Sequence, residues 1–255
     1  MSQLKNKQII INDLLINYYQ QTTDKQAPTL LFLHGWRSAG KIWNSVIEKL
    51  GNGYNIYSLD LPGFGQSNVP DKNFNLQDYA EVVDGFIQKN NLSEVIIIGH
   101  SFGGRIAIKL AATNPKYLYK LVLVDSAGIR HASAGRIIKQ GIAKLLKPFF
   151  KLPGLKSARQ KIYTSMGAED YLATPELQAI FVNIVKEDIT SLLSKIKIST
   201  MLIWGADDND TPLSDAKIMK EKITDSKLVV LSDAGHFSFL DQTEKFVSEI
   251  REFLV

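Results

Sequence analysis

The chain has 255 residues, of which 45% are hydrophobic and 22% charged, and its formal net charge at pH 7 is +4. These values are typical of a globular protein, and the absence of any run of about 18 apolar residues predicts no membrane-spanning helix. The sequence contains no cysteine, which excludes disulfides, a thiol nucleophile and cysteine-bound metal. The apolar run near the first residues is too short for a secretory signal, so the sequence predicts a cytoplasmic protein.

The predicted elements begin with two strands that fold back on each other at Asn12 and Asp13. Further strands are predicted at 29–33, 55–60, 95–98, 121–125, 201–204 and 228–231, and helices at 41–50, 76–90, 105–113, 213–223 and 242–253. These later strands are apolar throughout rather than alternating, which is typical of parallel strands covered by helices on both faces. The sequence therefore predicts an α/β fold with a mostly parallel, doubly wound sheet and an antiparallel hairpin at one edge.

The alternation of strands and helices stops between residues 129 and 199, where helices and turns are predicted but no strand. Residues 130–161 include nine basic residues and no acidic one, so the rest of the chain carries a formal charge of −5. Apolar residues recur there at helical spacing, at Ile138, Ile142, Leu145, Leu146 and Phe149. A basic amphipathic helix can contact an anionic membrane surface weakly or attract an anionic substrate. The interpretation favoured is a solvated basic face whose apolar stripe covers a pocket.

A second helix is predicted in this segment from Thr174 to about Leu193. Thr174 is a suitable cap, Pro175 suits the first turn, and Glu176 places a negative charge near the amino end.

The segment 99–104, Gly-His-Ser-Phe-Gly-Gly, joins the apolar strand 95–98 to the helix that follows. A turn this tight requires strained backbone angles at Ser101, and a Cβ on either flanking glycine would collide with the adjacent strand or helix. Such a turn holds a serine nucleophile above the end of a parallel strand. A nucleophilic serine also needs a base, an acid that orients the base, and two N–H donors for an oxyanion.

The base is sought among the four histidines of the chain: His34, His100, His131 and His236. His236 follows the last strand, at the same carboxyl edge of the sheet as Ser101, which is where open α/β sheets place their sites. His100 adjoins the serine on its strand, and its ring is therefore predicted to point to the opposite face.

The acid is expected in the loop after strand 201–204, where a carboxylate can fix the imidazole tautomer. This loop contains three aspartates, Asp207, Asp208 and Asp210, and spacing alone does not choose among them. Asp125, after the preceding strand, is a substitute. The loop lacks the glycine and the distal glutamate of a calcium-binding loop, so no metal site is predicted.

The oxyanion donors are predicted to be the backbone N–H groups of Phe102, at the start of the helix, and Trp36, in the loop after strand 29–33. Ser38 and Ser126 are predicted to line the substrate pocket with them. Arg105, one turn past the serine, could form a bidentate pair with a substrate carboxylate, but the interpretation favoured for it is an exposed helix residue.

These motifs, in this order, resemble the α/β-hydrolase superfamily over nearly the whole chain. The resemblance rests on segments 34–35, 60–67, 99–104, 204–208 and 235–236: His-Gly, Asp-Leu-Pro-Gly-Phe-Gly-Gln-Ser, Gly-His-Ser-Phe-Gly-Gly, Trp-Gly-x-x-Asp and Gly-His. In that family the acid is the third residue after the glycine of Trp-Gly-x-x-Asp, which implies Asp208. The resemblance also implies a hydrolase core at 1–128 and 200–255, and a helical cap at 129–199, inserted after the sixth strand.

The resulting expectation is a serine hydrolase of the esterase type, without a cofactor, that cleaves a small or medium-chain carboxylic ester through an acyl-enzyme intermediate. The alternative within the same site is a C–C bond hydrolase or lyase acting on an anionic, carboxylate-bearing substrate, which Arg105 and the basic segment suggest. The alternative of another class is a non-catalytic ligand-binding or membrane-docking module on the same scaffold. Nucleic-acid binding is not predicted, because the basic segment is local and its aromatics, Phe149 and Phe150, fit an apolar stripe.

Overall fold

The computed structural model describes residues 4–24, 26–130 and 174–255. Its strands are β1 (Lys5–Ile11), β2 (Leu14–Gln21), β3 (Thr29–Leu33), β4 (Asn55–Leu59), β5 (Val95–His100), β6 (Leu118–Val124), β7 (Thr200–Gly205) and β8 (Ser226–Leu231). They form one eight-stranded sheet in the order β1-β2-β4-β3-β5-β6-β7-β8. The strands from β4 to β8 across the sheet pair in parallel, whereas β1 pairs with β2 and β2 with β4 in antiparallel fashion. The mostly parallel sheet with an antiparallel edge is therefore confirmed.

The edge hairpin turns at Asn12 and Asp13, whose φ angles are 48° and 61°. Two positive φ angles are what the mirror-image turn of a two-residue hairpin requires, and asparagine and aspartate tolerate them better than most residues.

The helices are α1 (Asn44–Leu50), α2 (Leu76–Lys89), α3 (Phe102–Ala111), α4 (Gln178–Lys186), α5 (Leu213–Lys222), α6 (Ser238–Asp241) and α7 (Thr243–Leu254). Short 3-10 turns at Gly40–Trp43, Pro175–Leu177 and Thr190–Lys195 accompany them. None of the helices within the described ranges is long and apolar enough to cross a membrane.

One helix prediction is wrong: residues 174–193 do not form a continuous helix. Glu187 is extended, with ψ at 121°, and separates α4 from the 3-10 turn that follows. The cause is local, because the Asp188 carboxylate accepts hydrogen bonds from both the backbone N–H and the hydroxyl of Thr190. An aspartate that bonds nearby backbone in this way competes with the helical ladder. Thr174 also makes no side-chain cap for the turn after it.

The sheet separates two apolar layers, and this explains the unbroken apolar run from Leu30 to Leu33 in β3. In β3, Leu31 and Leu33 pack with residues of α2, α3 and α5, while Leu30 and Phe32 pack on the other face with α1 and α7. Successive side chains of a strand point to opposite faces, so a strand covered on both sides has no polar position.

The boundaries 1–128, 129–199 and 200–255 stay a prediction. Of the segment 129–199, the described part holds α4 and the two 3-10 turns beside it, between β6 and β7 in sequence. The predicted basic amphipathic helix around residues 138–149 lies outside the described residues, as does His131.

Candidate active site

Ser101 occupies the turn between β5 and α3, with φ at 49° and ψ at −109°. The glycines on both sides of Ser101 are required, because neighbouring backbone packs directly against them. A Cβ on Gly99 would lie 2.7 Å from the carbonyl oxygen of Gly103, and a Cβ on Gly103 would lie 2.4 Å from that of Leu33. Both distances are far below van der Waals contact, so the predicted strain and the need for flanking glycines are confirmed.

Three predicted side chains meet at the carboxyl edge of the sheet. The Ser101 Oγ lies 3.0 Å from His236 Nε2, and His236 Nδ1 lies 2.9 Å from Asp208 Oδ2. The serine hydroxyl can therefore donate to Nε2 while Nδ1–H donates to the carboxylate. This arrangement can move a proton from the serine to the imidazole while the carboxylate compensates the charge that forms.

Asp208 is held by its own loop as well as by the histidine. Its Oδ1 accepts from the backbone N–H groups of Asp210 (2.8 Å) and Thr211 (3.0 Å), and its Oδ2 lies 2.7 Å from the Thr211 hydroxyl. Burial alone would raise the pKa of Asp208, but the hydrogen bonds from His236 and Thr211 outweigh it and lower that pKa. Asp208 is therefore charged at neutral pH. It is also the buried aspartate of this loop, since Asp207 and Asp210 are exposed.

The pKa of His236 is raised above its usual value. Burial would lower it, but the hydrogen bond to Asp208 and the charges of Asp208, Asp210 and Asp125 stabilise the imidazolium by more. A base that accepts the serine proton must be neutral beforehand, so the reactive form is lost as pH falls through the pKa of His236.

We expect the acidic limb of kcat/KM to lie above the usual pKa of a histidine, and Asp210→Asn to move that limb to lower pH. Removing the Asp210 charge destabilises the imidazolium, lowers the pKa of His236 and extends the neutral base to more acidic conditions. The rate at high pH should stay nearly unchanged, because the histidine is neutral there in both proteins. The measurement is a pH–rate profile at low ionic strength, where screening is weakest.

The matched control is Asp207→Asn, which makes the same charge change at an exposed position of the same loop. Equal displacement of the limb in both variants would show that general electrostatics, rather than the place of Asp210, sets the profile.

Asp125 joins the two loops that bear the acid and the base. Its Oδ1 accepts from the Gly205 N–H (2.8 Å), and its Oδ2 accepts from the Ser238 N–H (3.2 Å) and hydroxyl (2.5 Å). Gly205 leads into the loop of Asp208, and Ser238 lies two residues after His236. Burial raises the pKa of Asp125 to about 7, although these hydrogen bonds oppose the effect. The structure thus places Asp125 as a support of both loops rather than next to the imidazole nitrogen.

The loop after β3 lies directly against the serine. A Cβ on Gly35 would lie 2.8 Å from the ring of His100 and 3.4 Å from the Ser101 Cβ. His34 fixes this loop, because its Nε2 accepts from the Leu61 N–H (3.0 Å) and its Nδ1–H donates to the Gly35 carbonyl (2.7 Å). Burial lowers the pKa of His34 to about 4, so it stays neutral in this pairing.

The predicted oxyanion donors both border the serine. Phe102 is the first residue of α3, and first-turn amides of a helix have no acceptor within the helix. Trp36 follows Gly35 in the loop, and its ring lies 5.2 Å from that of Phe102, measured between centroids. The positive end of α3 favours negative charge at this point.

His100 has a contact that the sequence did not indicate. Its ring packs with Trp43 and Phe239 in the layer opposite α3, as the strand alternation predicts, and its Nε2–H also donates to the carbonyl of His236 (2.7 Å). Burial lowers the pKa of His100 to about 3, so the ring is neutral. The residue before the serine therefore fixes the backbone of the base, through a contact 136 residues away that spacing does not reveal.

A cavity of about 860 Å³ opens above the serine. Trp36, Ser38 and Phe102 line it as predicted, together with Phe181, Ile184 and Val185 of α4. Ser126 lies elsewhere: it is fully buried, and its hydroxyl donates to the Ala127 carbonyl (3.0 Å). The structure therefore does not bring Ser126 to the cavity surface.

Arg105 borders the cavity but is only 7% exposed, so the prediction of an exposed helix residue is wrong. Its guanidinium Nη2 donates to the carbonyl oxygens of Ile184 (2.9 Å) and Glu187 at the end of α4.

Asp208, Asp210 and His236 also bring three potential metal-ligand atoms within 4.8 Å of one another. Asp208 and His236 are hydrogen-bonded to each other, however, which suits proton transfer better than metal binding.

Comparison with known proteins agrees with this geometry. Residues 30–249 match the model of the alpha/beta hydrolase family. The chain belongs to this family. The α/β-hydrolase resemblance found in the sequence is thereby confirmed, and the protein is an enzyme of that superfamily.

Individual α/β hydrolases are similar along most of their length. A pimeloyl-[acyl-carrier protein] methyl ester esterase from Aliivibrio fischeri is 27% identical over 93% of this chain and 96% of its own. A 2-hydroxy-6-oxononadienedioate/2-hydroxy-6-oxononatrienedioate hydrolase from a Pseudomonas species is 26% identical over 86% of this chain and 83% of its own. The crystal structure of a membrane phospholipase A superposes with a TM-score of 0.80 and 26% identity, over 98% of this chain and 86% of the other.

Proposed function

We propose that the protein is a serine carboxylesterase in which Ser101 is the nucleophile, His236 the general base and acid, and Asp208 the residue that orients His236. The observation that carries this proposal is the unbroken pair of hydrogen bonds, 3.0 Å and 2.9 Å long, from the serine in its strained turn to a charged carboxylate.

In the first half of the reaction, the Ser101 hydroxyl gives its proton to His236 Nε2 as Oγ attacks the ester carbonyl carbon. The carbonyl oxygen becomes an oxyanion that accepts hydrogen bonds from the N–H groups of Trp36 and Phe102, each typically worth about 3 kcal/mol to the transition state. His236 then returns the proton to the leaving alcohol, and the acyl group stays on Ser101.

In the second half, water gives a proton to His236 and attacks the acyl carbonyl. The tetrahedral intermediate collapses, His236 reprotonates Oγ, and the carboxylic acid leaves. Every proton in this cycle has a donor and an acceptor among the three side chains, the substrate and water.

The cavity supports a small or medium acyl chain. The aromatic side chains of Trp36, Phe102 and Phe181 and the aliphatic side chains of Ile184 and Val185 line part of it, and this part suits an alkyl or aryl group. Charged side chains line other parts of the cavity, among them Arg37, Arg130 and Asp215. A relative named for hydrolysis of a methyl ester supports the same bond type.

Labelling with a fluorophosphonate tests the proposal, because the reagent reacts only with an activated serine. We expect one label per chain, located on Ser101 by peptide mapping, together with hydrolysis of p-nitrophenyl acetate and butyrate. An intact, folded protein that takes up no label would exclude the serine mechanism and favour a non-catalytic ligand-binding module.

A C–C bond hydrolase is the second candidate, and the relative named for hydrolysis of a dienedioate favours it. It would use the same serine on an anionic, carboxylate-bearing substrate. Protection of Ser101 from the fluorophosphonate by dicarboxylates, with weak hydrolysis of simple esters, would favour this reaction. Rapid ester turnover without dicarboxylate protection would exclude it.

A further inference from the structure

Three basic side chains contact the carboxyl end of α4. Arg105 donates to the carbonyl oxygens of Ile184 and Glu187, Arg130 Nη1 donates to that of Lys186 (3.2 Å), and Lys109 Nζ lies 2.6 Å from the Glu187 carboxylate. We call Arg105, Lys109 and Arg130 the basic socket.

The socket supplies donors to carbonyls at the end of the helix. The last four carbonyls of a helix lack the amide partner that a next turn would provide, and Glu187 ends α4 in an extended conformation after its own N–H bonds the Ile184 carbonyl (3.3 Å). The partial negative charge at this helix end also favours nearby cations.

Of the three cations, Arg105 has the strongest hold on α4. It is buried, and one guanidinium nitrogen serves two carbonyls at once. The Lys109–Glu187 pair is partly exposed, its side chains retaining 21% and 33% of their accessible surface, and exposed ion pairs contribute little.

Arg105 also connects two parts of the site. It belongs to α3, one turn after Ser101, and the helix it holds supplies Phe181, Ile184 and Val185 to the cavity wall. The Phe181 ring lies 5.1 Å from that of Trp36, measured between centroids, so the far side of the wall touches the predicted oxyanion loop.

We propose that Arg105 is a positioning residue that fixes α4 against the nucleophile helix and thereby sets which acyl groups the cavity accepts. This inference rests on the proposed esterase function. It differs from a role for Arg105 in binding a substrate carboxylate, because Nη2 donates to backbone carbonyls of α4.

The first test is the selectivity of Arg105→Lys, given as the ratio of kcat/KM for p-nitrophenyl hexanoate to that for the acetate. Lysine keeps the charge but loses the planar fork. We expect the ratio to fall about tenfold, through a higher KM for hexanoate, since the six-carbon chain extends further from Ser101 into the cavity that α4 lines than the two-carbon chain does. A ratio within twofold of wild type in a folded variant would overturn the proposal.

The matched control is Glu187→Gln, which removes the charge that pairs with Lys109 and keeps the carbonyl to which Arg105 donates. Its ratio should stay within about twofold of wild type, as expected for a partly exposed ion pair. A tenfold fall in this control would assign the effect to the ion pair and overturn the role of Arg105.

Tryptophan fluorescence provides a readout that is independent of activity. The chain has three tryptophans, of which Trp43 and Trp204 are fully buried and Trp36 touches α4. Acrylamide should therefore quench Arg105→Lys more strongly than wild type, through Trp36. Unchanged quenching would show that α4 has not moved and would overturn the proposal.

The two readouts separate this proposal from the proposed function. Absence of fluorophosphonate labelling in wild type would refute the esterase, whereas normal labelling with unchanged selectivity and quenching in Arg105→Lys would refute only the role of Arg105.

Should Arg105→Lys fail to fold, the double variant Lys109→Met/Arg130→Met weakens the same helix end. It should lower the hexanoate ratio about threefold, and an unchanged ratio there would count against the socket.

Discussion

Ser101→Ala should reduce kcat/KM for p-nitrophenyl butyrate by about 10⁴- to 10⁶-fold, which is the usual result of removing the nucleophile of such a triad. The loss corresponds to roughly 5–8 kcal/mol of transition-state stabilisation. The large effect follows from the geometry, because the Oγ that this change removes is the atom 3.0 Å from His236 Nε2. Alanine keeps the Cβ, so the strained turn between β5 and α3 is preserved and circular dichroism should show an unchanged fold.

Ser126→Ala is the control for this experiment. Ser126 is also a serine beside a strand end, but it is fully buried and its hydroxyl donates to the Ala127 carbonyl rather than to a histidine. Its removal should change kcat/KM by no more than about threefold, within the range of a neutral hydrogen bond. Comparable losses in the two variants would contradict the assignment of Ser101 and point to a general disturbance of the sheet edge.

The sheet could be predicted from the sequence because its physical causes are local in the chain. The side chains from Leu30 to Leu33 point alternately into two apolar layers, so every one of these positions must be apolar and the sequence shows an unbroken apolar run. The prediction of a continuous helix over 174–193 was wrong for an equally local reason, because the Asp188 carboxylate accepts hydrogen bonds from the backbone N–H and the hydroxyl of Thr190. The spacing of apolar residues indicates both α4 and the 3-10 turn after it, but it does not reveal the hydrogen bonds of Asp188 that separate the two.

The site was predictable only where it follows from strand order. Ser101 and His236 each follow a strand at the carboxyl edge, so topology brings them together. Spacing left three aspartates open, because the choice depends on which carboxylate the loop turns inward, and here Asp208 accepts the amides of Asp210 and Thr211. The burial of Arg105 depends on backbone some 80 residues further along the chain, which no local pattern encodes.

Asp208→Asn should lower kcat about 10⁴-fold, although it changes a single atom from oxygen to nitrogen. The asparagine can adopt two orientations, and the loop selects one of them. The Oδ1 position receives two backbone N–H groups, from Asp210 and Thr211, and so requires an acceptor. The amide oxygen will take that place, which turns the NH₂ group towards His236 Nδ1.

An NH₂ group facing Nδ1 forces the histidine into the tautomer with its proton on Nε2. Nε2 then presents a hydrogen to Ser101 Oγ and cannot accept the serine proton, so the base is lost while the shape of the site is kept. Nitrogen-15 NMR of the imidazole tests this directly, because the chemical shifts of Nδ1 and Nε2 show which of the two nitrogens carries the proton. We expect Nδ1–H in wild type and Nε2–H in Asp208→Asn, with slower but still stoichiometric fluorophosphonate labelling. A variant with Nδ1–H and nearly wild-type kcat would remove Asp208 from the proposed mechanism, since its carboxylate would then be needed neither for the tautomer nor for the rate.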